Sequence, residues 1–246
     1  MSLATLVAAV IVIAMIVYVA SGGADFGGGI WDLLATGPRA DEQRELLWKA
    51  IAPIWEANHV WLIVALVLMF VGFPKAFSAI LTALHIPVTI MLVGIVLRGS
   101  AFAFRSYSAG DTNVERRSAT IFAASSVATP VMLGVVAGAI ASGDIAIGPD
   151  GMVETDFVSA WLAPFPFAIG LFTLALSAFL SAVYMTVEVA DDEELREDFR
   201  TRALWSAVAV GATALVSLIL ARDGAPLIWE GLLATDWSLP FHIATG

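Results

Sequence analysis

Three observations predict an all-α fold, a polytopic transmembrane bundle of about six helices. Hydrophobic residues make up 59% of the 246 positions and charged residues only 14%, against roughly 25% charged in an ordinary soluble domain. Mean hydropathy is +0.88. The apolar residues also fall into runs long enough to cross hydrocarbon, at 3–21, 51–73, 77–97, 119–141, 160–187 and 203–221. No run alternates with period two. Backbone polar groups inside lipid must be satisfied within the segment, so each run reads as a helix.

The first run lacks a basic leader and exceeds a signal peptide's apolar stretch, so it reads as a retained helix. GGADFGGG follows at 22–29 and reads as a turn at the helix end, opening a loop to residue 50. Gly23 and Gly27 there have the small-xxx-small spacing that lets helices approach closely. Asp25 stands among the glycines with no neighbouring base, and no Lys or Ser follows at the spacing of a phosphate loop.

The second run begins IAPIWEANHVWLI and carries Glu56, Asn58 and His59 between Trp55 and Trp61. An ionisable side chain in a spanning helix costs about 2.5–3.5 kcal/mol on insertion scales, and normally faces a bundle interior or a wet cavity. Glu56 and His59 share one helix face at 3.6 residues per turn. The alternative is a polar helix end that reaches the headgroups by snorkelling. The third run contains His85 before Pro87. Imidazole is the usual haem axial ligand, so His59 with His85 is a candidate b-haem pair, against the commoner buried histidine bonded to a neighbouring helix.

Between the fourth and fifth runs, loop 142–159 holds Asp144, Asp150, Glu154 and Asp156 with no base, as a solvated external loop would. Loop 188–202 mixes acids with arginines and reads as a solvated, partly helical extension of the fifth helix. His242 lies in the tail after the sixth run and is given no role.

Lys and Arg fix the orientation. Arg39, Arg44 and Lys49 lie in 22–50, Arg98, Arg105, Arg116 and Arg117 in 98–118, and Arg196, Arg200 and Arg202 in 188–202. With six helices these stretches share one side, and the other keeps only Lys75 and Arg222. The positive-inside rule makes the Arg-rich loops cytoplasmic, with both termini outside. Cysteine is absent, which excludes disulfides and cysteine-ligated metal, and no metal site is expected. Net charge is −10, so nucleic acid is not an expected partner.

AIAPIWEANHVWLI (50–63), preceded by ADFGGG, followed by FP at 73–74 and LRGSAFAFR (97–105), resembles subunit II of the cytochrome bd quinol oxidases. AVYMTVEVADDEELREDFRTRA (182–203) is a weaker match. The chain departs from the family pattern in Gly22 for the first aspartate of the turn, Ala57 for Gly, His59 for Gln or Glu, and Ala103 for the acid of the exit motif. Members typically have eight helices as two four-helix units. The resemblance therefore implies that 1–142 is the first unit and that 143–246, two helices plus a tail, starts the second. DWSLPFHIATG falls about where a seventh helix should begin, as in a short or incomplete member.

The resemblance further implies a non-haem subunit of a terminal quinol oxidase in a bacterial or archaeal cytoplasmic (inner) membrane. Haems b and d, and the quinol site, would belong to the partner, subunit I. No cofactor is expected on this chain, and lipid, quinone and a small accessory subunit join the expected partners. Asp25, Glu56, Asn58 and His59 would line a cytoplasmic proton path. Gly23, Gly27, Trp55, Trp61 and Arg98 would serve subunit packing. Two readings of other classes stay open: an ion-coupled secondary transporter using Asp25 and Glu56, and a b-haem electron carrier using His59 and His85.

Overall fold

The structure is a computed structural model that describes residues 2–51, 55–107, 112–150, 152–189, 191–233, 235 and 238. At 51, 55, 56, 105–107, 112 and 115 it describes the backbone only. Its helices among these residues are α1 (Leu3–Leu34), α2 (Ala40–Ile51), α3 (Trp55–Gly72), α4 (Pro74–Ala83), α5 (His85–Tyr107), α6 (Thr112–Ser142), α7 (Pro164–Glu188), α8 (Glu193–Gly224) and α9 (Pro226–Leu233). Strands β1 (Ala146–Ile147) and β2 (Val153–Glu154) form a small antiparallel pair between α6 and α7. Five helices are long and apolar enough to span a membrane, and α3 with α4 makes a sixth if that bent pair is counted as one. The all-α, multi-pass bundle agrees with the sequence.

Element boundaries differ in instructive ways. The expected turn at 22–29 is helical, because α1 runs unbroken from the Ser2 cap to Leu34. Each interior glycine costs roughly 1 kcal/mol against Ala in a helix. The missing Cβ atoms offset that by letting other helices close in. A Cβ at Gly27 would overlap the Ser177 carbonyl on α7, and one at Gly29 would overlap Ser126 on α6. The expected third span, 77–97, is broken at Leu84. Pro74 starts α4, which turns 117° from α3, and Pro87 fits the first turn of α5, where a missing N–H costs little. Residues 98–107, expected in a loop, continue α5. The charged stretch after 192 begins α8, capped by Asp192 on the Leu195 N–H, and does not extend the fifth span.

Side-chain contacts set the helix directions. Gly72 faces Val7 while His59 meets Tyr18, so α3 runs antiparallel to α1. Arg98 meets Ser126, and Gly94 faces Thr129, so α5 and α6 are antiparallel. Gly138 against Pro166 and Gly134 against Thr173 orient α7 in the same manner relative to α6. The last turns of α1 and α5 therefore share one end with the α7–α8 connection. Helix α2 closes that end. Its Trp48 stacks on Phe102 of α5 at 4.1 Å, and its Leu47 packs with Met185, Val189, Leu195 and Phe199. At the opposite end Ala83, Leu84, Ala139 and Ala160 seat α4 and the strand pair against α6.

Candidate functional site

Among the described residues, buried polar side chains of α1, α3, α5 and α6 gather in a layer towards the end closed by α2, while Ser217 of α8 is buried near the other end. At the centre of the layer Asp25 and Arg98, 73 residues apart in sequence, form a doubly bonded ion pair. Arg98 Nη1 donates to Asp25 Oδ2 at 2.8 Å, and Nη2 donates to Oδ1 at 2.7 Å. Nη2 also donates to the Asp25 carbonyl at 2.9 Å, and Nε to Ser126 Oγ at 3.0 Å. Side-chain exposure is 2% for Arg98 and 0% for Asp25. The guanidinium plane is flanked by Phe26 and Phe122, whose ring centres lie 5.2 and 4.7 Å away. An isolated charge at such a place is costly, whereas the fork geometry of arginine satisfies both carboxylate oxygens at once.

Around this pair stand further polar groups. Ser125, Ser126 and Thr129 of α6 are buried, as is Asn58 of α3. Asn58 Nδ2 and Thr129 Oγ1 find no hydrogen-bond partner among the described residues. His59 is half-buried, with Nδ1 3.5 Å from the Tyr18 hydroxyl and its ring 6.2 Å from that of Phe26. The layer thus joins α1, α3, α5 and α6, and it leaves buried donors and acceptors for water to meet.

The structure brings together Asp25, Asn58, His59 and Arg98 from the sequence candidates. Glu56 falls in the first turn of α3, one turn before His59, and its side chain, like that of Trp55, lies outside the described residues. Trp61 is on the outer face of α3. Gly23 and Gly27 face Leu180, Ser177 and Ser181 of this chain's own α7. His85 is exposed at the start of α5, where Nδ1 meets the Thr82 carbonyl at 3.1 Å and the ring edge meets Phe157. About 20 Å of helical rise separates His59 from the far end of α3, beyond which α4 and His85 follow. Two imidazoles so placed do not fit the two axial positions of one haem. His242 lies outside the described residues.

Sequence reasoning missed Tyr18, Ser126 and Thr129, and it assigned Arg98 to a loop. One signal was available. Asp25 and Arg98 are lone opposite charges beside apolar runs at the same predicted depth, and each needs a partner.

A second polar cluster lies at the α2 end. Arg39 Nε and Nη2 bond both oxygens of Asp198 at 2.9 and 2.7 Å, and Nη1 bonds Glu194 at 2.9 Å. Gln43 bridges Asp198 to Arg202, whose guanidinium rests over Trp31 and Phe199. A half-open cleft of about 280 Å³ lies among these groups. It ties α2 to α8.

Comparison with known proteins agrees with this architecture. The sequence model described as "Cytochrome bd terminal oxidase subunit II" matches residues 3–244. The putative cytochrome bd menaquinol oxidase subunit II of Bacillus subtilis (strain 168) is 22% identical over 220 residues, 88% of this chain and 62% of that protein. Cytochrome bd ubiquinol oxidase subunit 2 of the same organism is 38% identical over 63 residues, 26% of this chain and 19% of that protein. The chain thus matches less than two thirds of the length of these curated relatives. The structure of bd oxidase from Geobacillus thermodenitrificans superposes with a TM-score of 0.76 at 22% identity, covering 96% of this chain and 72% of that one. With a family match along nearly its whole length and the fold of a solved bd oxidase chain, the protein belongs to the cytochrome bd terminal oxidase subunit II family.

Proposed function

We propose that this chain is the partner and scaffold of a haem-bearing subunit in a quinol:oxygen oxidoreductase, and that its buried polar layer is part of a proton path. The observation that carries the reading is the layer itself, a set of ionisable and hydrogen-bonding groups in an otherwise apolar bundle, at the end where Arg and Lys concentrate. By the positive-inside rule that end is cytoplasmic. Reducing oxygen to water consumes protons, and a dry bundle does not admit them without such groups. Residues 1–142 form one helix unit in this reading, and 143–246 begin a second. Haems b and d, with the quinol site, belong to the partner subunit, and lipid and quinone surround the complex.

The roles divide by geometry. Asp25 has both oxygens bonded to Arg98, so it acts as a fixed negative charge that anchors the layer. Asn58 and His59 have no counter-ion among the described residues, and with Glu56, one turn before His59 on α3, they carry the exchange. Turnover of the assembled complex in saturating quinol tests this, after haem content has been checked. Glu56→Gln is expected to slow oxygen consumption about tenfold, equivalent to roughly 1.4 kcal/mol on the barrier, while Glu56→Asp retains part of the rate. Full turnover by the Gln variant would leave the chain a scaffold alone.

A further inference from the structure

Tyr18 is almost wholly buried in α1, two turns before Asp25 and therefore on the same helix face. Its hydroxyl lies 3.5 Å from His59 Nδ1, and the two rings tilt at 46° with centres 6.0 Å apart. Tyr18 also borders a small, partly open cavity of about 10 Å³, bounded with it by residues that include Gly23 of α1, Pro130 of α6, and Thr173 and Ser177 of α7. That volume is close to the lower limit for one water molecule.

The lining is mainly apolar, with Val19, Phe26 and Leu133 completing it, and two hydroxyls on α7 supply polar contacts for a water. Thr173 Oγ1 donates to the Ile169 carbonyl and Ser177 Oγ to the Thr173 carbonyl, both at 2.8 Å. Each hydroxyl oxygen keeps lone pairs to accept from a water. Pro130 has no N–H, so the Ser126 carbonyl one turn earlier loses its ordinary helical donor. Ser126 is the residue whose hydroxyl takes Arg98 Nε. Within the continuous α6, Pro130 thus leaves an acceptor without its helical donor on the helix whose Ser126 bonds Arg98, and the Thr129 hydroxyl, without a partner among the described residues, adjoins it in sequence.

We propose that Tyr18 is a positioning residue of the proton path, holding the His59 imidazole through Nδ1 and walling a site for one ordered water between α1, α6 and α7. The inference rests on the proton-path reading for its consequence in turnover, but its geometry is testable apart from it. The hydroxyl of a tyrosine both donates and accepts, so it orients His59 on one side while its ring closes the cavity on the other. Phenylalanine would fill the same space and lose the orientation.

The test uses the intact complex with ¹⁵N-labelled histidine, the His59 signals being assigned by their loss in His59→Gln. Tyr18→Phe is expected to shift the His59 Nδ1 resonance and leave that of His85 in place. It should lower turnover several-fold with the quinol KM unchanged. Radiolytic hydroxyl labelling, which marks side chains beside bound water, should modify Tyr18 and Pro130 in the unaltered protein. An unmoved His59 resonance, or no label at Tyr18 and Pro130, overturns the proposal. If Glu56→Gln and His59→Gln both run at full rate while the Tyr18→Phe resonance moves, the path fails and the positioning contact stands. If those two variants are slow and the Tyr18→Phe enzyme is not, the path stands and the role of Tyr18 in it fails.

Discussion

Two arginine–aspartate pairs in this protein have the same bond length and different settings. Arg98–Asp25 and Arg39–Asp198 both close to 2.7 Å, and both are two-pronged. The first has side-chain exposures of 2% and 0%, the second 33% and 25%. Arg98–Asp25 joins α1 to α5 inside the bundle, between two aromatic rings. Arg39–Asp198 joins the start of α2 to α8 at the rim, with Glu194 and Gln43 sharing the bonds. Bond geometry is therefore a poor guide to what each pair does. Solvent decides it. At the rim, water and salt compete for every charge, whereas in the interior Arg98 has Asp25 as its counter-ion, with the neutral Ser126 hydroxyl and two rings beside it, and losing Asp25 strands a charge in a medium that cannot solvate it.

The largest effect should follow from breaking the inner pair. Asp25→Asn keeps the size of the side chain but leaves the Arg98 cation without its counter-ion, and removing one member of a buried pair typically costs about 3–5 kcal/mol. We expect a sharp fall in the yield of folded protein and in its thermal midpoint. The double variant Asp25→Leu with Arg98→Met removes both charges, and should recover much of the loss in stability without restoring the polar layer. Thermal melts of detergent-purified protein measure both. A single variant as stable as the unaltered chain would break the comparison at its root, since the inner pair would then behave like the outer one.

Much of this difference could not be read from the sequence. The multi-pass helical bundle, the basic end and the polar start of α3 were legible because hydropathy and charge act locally, whereas the six expected spans are five, or six with the bent α3–α4 pair counted as one. Asp25 and Arg98 were each visible as charges, but not as a pair, because pairing depends on how α1 and α5 are set side by side. Helix α1 was cut short at Ser21 for a related reason. A glycine run reads locally as a turn, and only Ser177 and Ser126 across the helix interfaces give those absent Cβ atoms a use. The break at Leu84 hid inside an apolar run, since the short helix α4 is as apolar as the α5 span that follows it. Helix α2 was missed as a lid because its charges mark it as loop, while the contacts of Trp48 and Leu47 make it part of the core.

A smaller effect should come from the rim. Asp198→Asn removes a charge that Arg39 and Gln43 share, yet Arg39 keeps Glu194 and is open to water. We expect a downward shift in the thermal midpoint several-fold smaller than that of Asp25→Asn. Salt should separate the two pairs more cleanly. With a Debye length of about 3 Å at 1 M against roughly 10 Å at 0.1 M, the rim pair weakens while the buried one does not. Raising salt should therefore shrink the difference between the unaltered protein and Asp198→Asn and leave the Asp25→Asn difference unchanged. Equal salt dependence of the two would show that water reaches Arg98.

The smallest effect tests what a carboxylate does with no arginine at all. Asp156, in the exposed stretch after β2, accepts from the N–H groups of Val158 and Ser159 at 3.0 and 2.8 Å and from the Ser159 hydroxyl at 2.8 Å. Those donors favour the charged form, the Ser159 and Val158 N–H groups most, and hold its pKa below the ordinary aspartate value. A group whose folded pKa is depressed contributes stability above its unfolded pKa, near 4, and loses it as the pH falls through the folded value. The turn at 156–159 should accordingly hold firm at neutral pH and loosen only in acid below about pH 4. Next to it, Phe157 has φ of 65° and its carbonyl takes the Trp161 indole N–H, so the indole reports on the turn. Hydrogen exchange at the Val158 and Ser159 amides should quicken in Asp156→Ala at pH 7, and exchange in the unaltered protein, corrected for its intrinsic pH dependence, should approach that rate only below pH 4. Acceleration already at pH 5 to 6 would mean that the backbone donors do not hold Asp156 in its charged form.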